Sequence, residues 1–190
     1  PIMLVNGYLE GENIYSTICD DRAAVYQVTR ELLNSGRRKL LYLYTSHSFS
    51  GVNKLAGFKE AHQQMGLEVP DSMIRQCAKD ISVARDLLLT LHREGLEFDA
   101  VVTSDDSLAV GAVKFAHAAG ISIPDELSII GYNDSILARS TDPEITSIDS
   151  KVEAFCSTTI NTLMGVFSGK NVPSRTTIAS DLIKRQTTNF

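Results

Sequence analysis

The chain is poor in the features that announce most enzyme, membrane and secreted classes. Its three cysteines, Cys19, Cys77 and Cys156, lie far apart with no C-x-x-C pair. That spacing offers neither a disulfide framework nor a zinc motif. It suits small buried hydrophobes in a reducing compartment, with Cys77, between Arg75 and Lys79, the best placed for thiolate chemistry. No apolar run approaches the roughly 20 residues of a membrane helix, and no signal peptide is visible. There is no excess of positive charge. The net charge is −5, which gives the surface as a whole no pull on a phosphate backbone. The densest basic spot, Arg37-Arg38-Lys39, reads as a solvated turn. The chain opens on Pro1, directly before an apolar strand, which suggests a fragment excised from a longer protein.

Catalytic signatures are also missing. There is no G-x-x-x-x-G-K-[ST], no G-x-G-x-x-G after a strand and no G-x-S-x-G elbow. The four histidines, His47, His62, His92 and His117, fall in separate segments, and no two have the i, i+3 or i, i+4 spacing of a metal pair. Only His47, in a loop after a strand, is placed to approach a pocket.

What is present is alternation. Short apolar strands at Ile2–Val5, Ser16–Cys19, Lys39–Tyr44, Ser72–Cys77, Ala100–Val102, Leu127–Gly131 and Ile145–Asp149 punctuate helical patterns. The first helix carries Val25, Val28 and Leu32 on one stripe, with Asp20 or Asp21 as its cap and Gly36 beyond its end. The second carries Val52, Leu55, Phe58, Ala61 and Met65. The third, opened by Ser82, carries Ala84, Leu87, Leu88 and Leu91. The fourth spans Asp106–Ala119, and a later one, Val152–Phe167, has Val152, Cys156, Ile160, Leu163 and Phe167 on one side. Asn133–Glu144 reads as a polar loop, and Thr176–Lys184 as a closing edge strand. Strands alternating with helices of this length predict an α/β fold with a doubly wound parallel sheet. The strands lack clean polar/apolar alternation, as expected when helices cover both faces.

In such sheets ligands bind beyond the carboxyl ends of the strands. Two ends stand out: Thr103–Gly111, T-S-D-D-S-L-A-V-G, and Ile129–Asp134, I-I-G-Y-N-D. Collected by strand end, the polar candidates are Asn6, Asp20, Ser48 or Ser50, Lys54, Lys79, Asp105, Asn133 and Ser150. Carboxylates, amides, hydroxyls and ammonium groups together suit a hydroxyl-rich ligand, because each hydroxyl both donates and accepts. None is a nucleophile with a matched base. Paired carboxylates at Asp20-Asp21 and Asp105-Asp106 would suit Mg²⁺-dependent phosphotransfer. The third strand end, Thr45-Ser46-His47-Ser48, lacks the acceptor carboxylate that such a site needs. Helix capping accounts for Asp106 and for one of Asp20 and Asp21, and leaves Asp105 free. The residues by themselves point to a binder of a small polar ligand rather than an enzyme, with no metal and no cofactor.

Several segments in order then carry a family likeness. They are Asp20-Asp21 before a helix, L-L-N-S-G-R-R-K-L-L-Y-L, K-L-A-G-F-K-E-A, S-D-D-S-L-A-V-G-A, I-P-D-E-L-S-I-I-G-Y-N-D, P-E-I-T-S-I-D and L-I-K-R-Q-T-T. In this order and spacing, over nearly its whole length, the chain resembles the lactose-repressor/galactose-repressor family of bacterial transcription regulators. The resemblance implies an effector-binding domain of the type I periplasmic-binding-protein-like fold, two lobes with a cleft between them. Residues 20–148 and 169–190 would form a complete carboxyl-terminal lobe, and residues 1–19 and 149–168 part of the amino-terminal lobe. Asn6, Ser50, Lys54, Asp105 and Asn133 fall at the family's ligand-facing positions.

Two of these depart from the family pattern. Lys54 stands where Arg is usual, losing a planar two-pronged donor. Asn133 stands where Asp is usual, losing a charge but gaining donors. An aromatic that often stacks on sugar near Cys77–Asp80 is replaced by Lys79. The resemblance also implies a mono- or disaccharide effector and operator DNA read through a helix-turn-helix absent from this chain. It further implies a cytoplasmic homodimer with no membrane contact, with some of Val110, Val113 and Phe115 on the dimer face. A secreted sugar-binding protein of a transporter has the same fold. Mg²⁺-dependent phosphotransfer through Asp20 and Asp105 is the enzymatic alternative.

Overall fold

A computed structural model describes residues 1–190. It has nine strands and six helices in two sheets. The larger sheet is built on three buried strands, β3 (Leu40–Tyr44), β5 (Ala100–Thr103) and β6 (Ser128–Tyr132). β4 (Ile74–Gln76) flanks them on one side; β7 (Thr146–Asp149) and β9 (Asp181–Ile183) flank them on the other. The order is β4-β3-β5-β6-β7-β9, all parallel except β9, which runs antiparallel to β7.

The two-residue period of a strand divides the apolar side chains of this sheet between two cores. Leu41, Leu43, Val101 and Ile129 pack on α3 (Ile81–Arg93) and α4 (Asp106–Ala119). Leu40, Tyr42, Val102, Ile130 and Tyr132 pack on α1 (Asp21–Asn34) and α2 (Phe49–Gln64). Both faces are covered, so the absence of alternation in the strand sequences has its physical reason. α1 and α2 approach closely at Gly57, where a Cβ would overlap the Arg22 carbonyl.

The second sheet is small. β1 (Ile2–Val5), β2 (Ile14–Cys19) and β8 (Arg175–Ile178) pair in parallel in the order β1-β2-β8. α6 (Val152–Phe167) packs on it. Three chain crossings join the sheets: Asp20 between β2 and α1, Ser150-Lys151 between β7 and α6, and Ala179-Ser180 between β8 and β9. They lie side by side. The Asp20 amide donates to the Ile178 carbonyl at 2.9 Å. Lys151 bridges Asp149 at 3.0 Å and Asp181 at 2.7 Å.

Several expectations change. Thr176–Lys184 is two strands, because the chain leaves one sheet and joins the other at Ala179-Ser180. Arg175–Ile178 therefore pairs with the small sheet, although 169–190 was expected wholly in the larger lobe. Within the expected loop Asn133–Glu144, Ile136–Arg139 forms a short helix, α5. α3 is capped by Asp80, whose carboxylate accepts from Ser82 N and Val83 N, so Ser82 is inside the helix. α4 buries Val110, Val113 and Phe115 against its neighbours, which leaves none of them for a dimer face.

Of the expected stripe on α6, Ile160 and Phe167 face outward, Val152 and Cys156 are exposed beside the space between the sheets and Leu163 is half-buried, while Phe155, Thr159, Thr162 and Gly165 face the sheet. Cys156 is thus exposed rather than buried. Arg37 is docked rather than solvated, donating to the carbonyls of Pro124, Asp125 and Glu126. Burial and nearby Asp80 raise the Cys77 thiol above its usual range, which makes it a poor nucleophile. No helix is long and apolar enough to cross a membrane.

Candidate functional site

The carboxyl ends of β1, β2, β6 and β7 converge on a cavity of about 280 Å³ between the two sheets. Asn6, Lys54, Asn133 and Ser150 line it, as the strand-end rule anticipates. A wider recess of about 640 Å³ continues past Asn133 and Val152 along the start of α6. A groove of about 360 Å³ between α1 and β9 shares no residue with either.

Asn6 leaves β1 with φ 51°, in the left-handed region. Its Oδ1 accepts from Cys19 N at 3.2 Å, which ties the ends of β1 and β2 together and leaves its amide N–H groups unused by this bond. Lys54 projects from α2 and is only 8% exposed. Its Nζ sits 3.4 Å from the centre of the Tyr132 ring, a close cation–π contact, and donates to the Ser104 carbonyl at 3.2 Å. Asp21 Oδ1 lies 3.9 Å away. Burial lowers the Lys54 pKa, against the opposing pull of Asp21 and Asp105.

Asp105 holds two structures at once. Its Oδ1 caps α4, accepting from Ser107 N at 3.0 Å and Ser107 Oγ at 2.7 Å. Its Oδ2 accepts from Lys79 Nζ at 2.7 Å and from Asn133 Nδ2 at 3.1 Å. Burial alone would raise its pKa; the bonds from Lys79 and Ser107 outweigh burial and hold it below the usual carboxylate range. The expected roles of the Asp pair are therefore exchanged. Asp105 is the cap, and Asp106 is a buried support.

Asp106 accepts from Ser147 Oγ at 2.6 Å through Oδ1, and from Ser135 N and Ser135 Oγ at 2.7 Å through Oδ2. Burial raises its pKa against these bonds. It holds the turn in which Asn133 (φ 103°) and Asp134 (φ 48°) take left-handed backbone conformations. Gly131 is required beneath this turn, because a Cβ there would overlap the Asp106 carboxylate.

Other candidates stand apart from the cavity. Ser50 lies in the first turn of α2 and does not line it. Ser48 caps α2, accepting from Gly51 N at 3.2 Å. Asp20 caps α1, accepting from Ala23 N at 3.2 Å. That frees Asp21, the other member of the pair, to line the cavity. His47 turns to Tyr44, with 3.2 Å between Nε2 and the phenol oxygen. Lys79 stays largely exposed, lines neither cavity and connects to the site only through Asp105.

Sequence reasoning did not single out Cys19, Tyr132, Phe155 and Cys156, which also line the cavity. Tyr132 could have been found by its place directly before Asn133 at a strand end. Burial and the neighbouring Asp21 push the Cys19 thiol to about 11, so it is inert at neutral pH. No group of three or more His, Cys, Asp or Glu side chains is arranged to hold a metal.

Residues 29–188 match the family described as periplasmic binding protein-like domain. An HTH-type transcriptional regulator of Lachnoclostridium phytofermentans is 48% identical over 190 residues, covering 100% of this chain and 57% of that protein. The HTH-type transcriptional regulator AscG of Escherichia coli is 28% identical over 186 residues, covering 97% of this chain and 55% of that protein. The chain thus spans little more than half the length of these relatives. Among solved structures, a sugar-binding transcriptional regulator of the LacI family from Escherichia coli, complexed with phosphate, superposes with a TM-score of 0.91. It is 28% identical, and the match covers 99% of this chain and 68% of that one. All three relatives are transcriptional regulators. The chain belongs to the periplasmic binding protein-like domain family, in the form carried by regulators of the lactose-repressor/galactose-repressor type.

Proposed function

We propose that this chain is the effector-sensing part of a bacterial DNA-binding transcription regulator, and that its inter-sheet cleft binds a mono- or disaccharide. The observation that carries the reading is the meeting of Lys54, Asn133 and Asn6 on one cavity: a buried ammonium that donates and two amides that bring donors and acceptors, Asn133 being held in place by Asp105. Sugar hydroxyls satisfy such a mixed set, and a ligand lacking them would leave buried groups unpaired at about 1–3 kcal/mol each. Asn6 meets the ligand from the small sheet, and Ser50 approaches it from the rim once the lobes close. The solved relative described as sugar-binding supports the ligand class.

The lobes of the sensor divide at the three crossings, with residues 1–19 and 152–178 on the small sheet and 20–149 and 181–190 on the large one. Ligand seated between them changes their angle, and this change alters operator affinity of a helix-turn-helix outside this chain. The regulator acts as a cytoplasmic homodimer and catalyses no reaction. Phosphotransfer through Asp20 and Asp105 is disfavoured, because one is a helix cap and the other is engaged by Ser107, Lys79 and Asn133. The test uses the product of the whole reading frame that encodes this chain, bound to DNA upstream of its own gene. Mobility-shift titrations with a panel of mono- and disaccharides should show one that changes DNA affinity. If every sugar leaves the complex unchanged, the sensing role is lost.

A further inference from the structure

Asp21 is 1% exposed, opens α1 directly after the first chain crossing, and lines the cleft cavity. Its Oδ1 accepts from Tyr132 Oη at 2.5 Å, and its Oδ2 has no hydrogen-bond partner. The one cation within 4.0 Å is Lys54, at 3.9 Å. Lys54 is equally short of partners for a buried charge: one carbonyl, one aromatic face and this carboxylate. Either charge left alone at such burial would be strongly penalised, so the two groups depend on each other. Tyr132 closes the triangle. Its hydroxyl holds Asp21 while its ring faces the Lys54 ammonium.

We propose that Asp21 is a positioning residue of the cleft, which through its ion pair with Lys54 and its bond from Tyr132 keeps the Lys54 ammonium as a fixed charged donor facing the cavity. The inference deepens the cleft reading above, but its test needs no ligand. A failed sugar screen would leave it standing, and its own failure would leave the cleft reading standing. The other groups near Lys54 are Cys19 from β2, Asp105 at the start of α4, and Lys79 from the loop after β4. Cys19 stays a neutral thiol at neutral pH. Asp105 and Lys79 are joined to each other and largely cancel. Asp21 is therefore the counter-charge that Lys54 depends on.

The experiment is a titration of Lys54 side-chain resonances, labelled with ¹³C and ¹⁵N, in the 190-residue chain and in Asp21→Asn, Asp105→Asn and Asp21→Glu. The Lys54 midpoint should move to lower pH in Asp21→Asn by more than it does in Asp105→Asn, and Asp21→Glu should restore it toward the original value. An equal or larger shift in Asp105→Asn overturns the proposal. Should Asp21→Asn fail to fold, the unmodified chain decides. Lys54 ammonium protons should exchange with water more slowly than those of exposed Lys79 and Lys170. Exchange as fast as at those two lysines overturns the proposal equally.

Discussion

The two sheets differ in how they finish their surfaces. The six-stranded sheet is sandwiched between α1 and α2 on one face and α3 and α4 on the other, and its central strands have almost no accessible side chain. The three-stranded sheet has one helix. Around it, Ile2, Val5, Ile160, Met164 and Phe167 are all more than half exposed, at 56%, 63%, 58%, 58% and 66%. The cleft lies between a wall closed on both faces and the thin portion of a second wall that this chain supplies. Most of its polar groups come from the closed wall: Asp21, Lys54 and Asn133 belong to elements of the six-stranded sheet and its helices, whereas Asn6 hangs from the edge strand β1.

Four measurements test this contrast. The largest effect should come from Phe115→Ala in the closed region. The ring is fully buried against Phe98 and His92, and its loss should lower unfolding free energy by about 3–5 kcal/mol in urea titrations. Gly57→Ala should cost about 1–3 kcal/mol, because the new methyl forces α1 and α2 apart where they now touch.

A smaller, pH-dependent effect sits at His62, which is buried on α2 with its Nδ1 donating to the Phe58 carbonyl at 2.9 Å. Burial lowers its pKa, against the opposing effect of that bond. The fold therefore favours the neutral ring. The stabilisation is complete above the unfolded value of about 6.5 and is lost as pH falls toward the folded value. Urea midpoints should drop across that window in the unmodified chain and drop less in His62→Gln. The smallest effect should come from Ile160→Ala on the outward face of α6, within about 0.5 kcal/mol, since the side chain has little to lose. A loss as large as that at Phe115 would mean that the outward stripe is packed in solution and that the contrast between the regions is false.

The closed region was the more legible in sequence, and the reason is physical. Runs such as L-L-Y-L-Y and A-V-V are apolar throughout because they are covered twice, and Gly36, Gly66, Gly95 and Gly120 mark the helix ends by left-handed φ values. The thin region misled because periodicity reveals that α6 has an apolar stripe but not whether anything covers it. The join of β8 and β9 was invisible for another reason. T-T-I-A-S-D-L-I has strand character on both sides of Ala179-Ser180, and the change of sheet there is set by tertiary pairing.

At the site, the strand-end rule picked out Asn6, Lys54, Asn133 and Ser150, which line one cavity, Asp105, which bonds to Asn133 beside it, and Asp20, Ser48 or Ser50 and Lys79, which stand apart. It misassigned the cap of α4, because Asp105 and Asp106 are equally good caps by residue type and only the burial of Asp106 under Gly131 decides between them. Tyr132 escaped notice because an aromatic ending an apolar strand reads as core, which its ring also is. Ser50 was put forward both by the strand-end rule and by likeness, and no cavity wall includes it in this arrangement of the lobes.

We propose that the strand ends of the closed wall recognise a small hydroxylated ligand. This recognition is tested most directly by thermal unfolding of the full reading-frame product with rising concentrations of mono- and disaccharides, in the unmodified protein, Lys54→Ala and Asn133→Ala. At least one sugar should raise the transition temperature saturably, and each substitution should abolish or strongly weaken the rise. A rise that both substitutions leave intact, or no rise with any sugar, would contradict the claim.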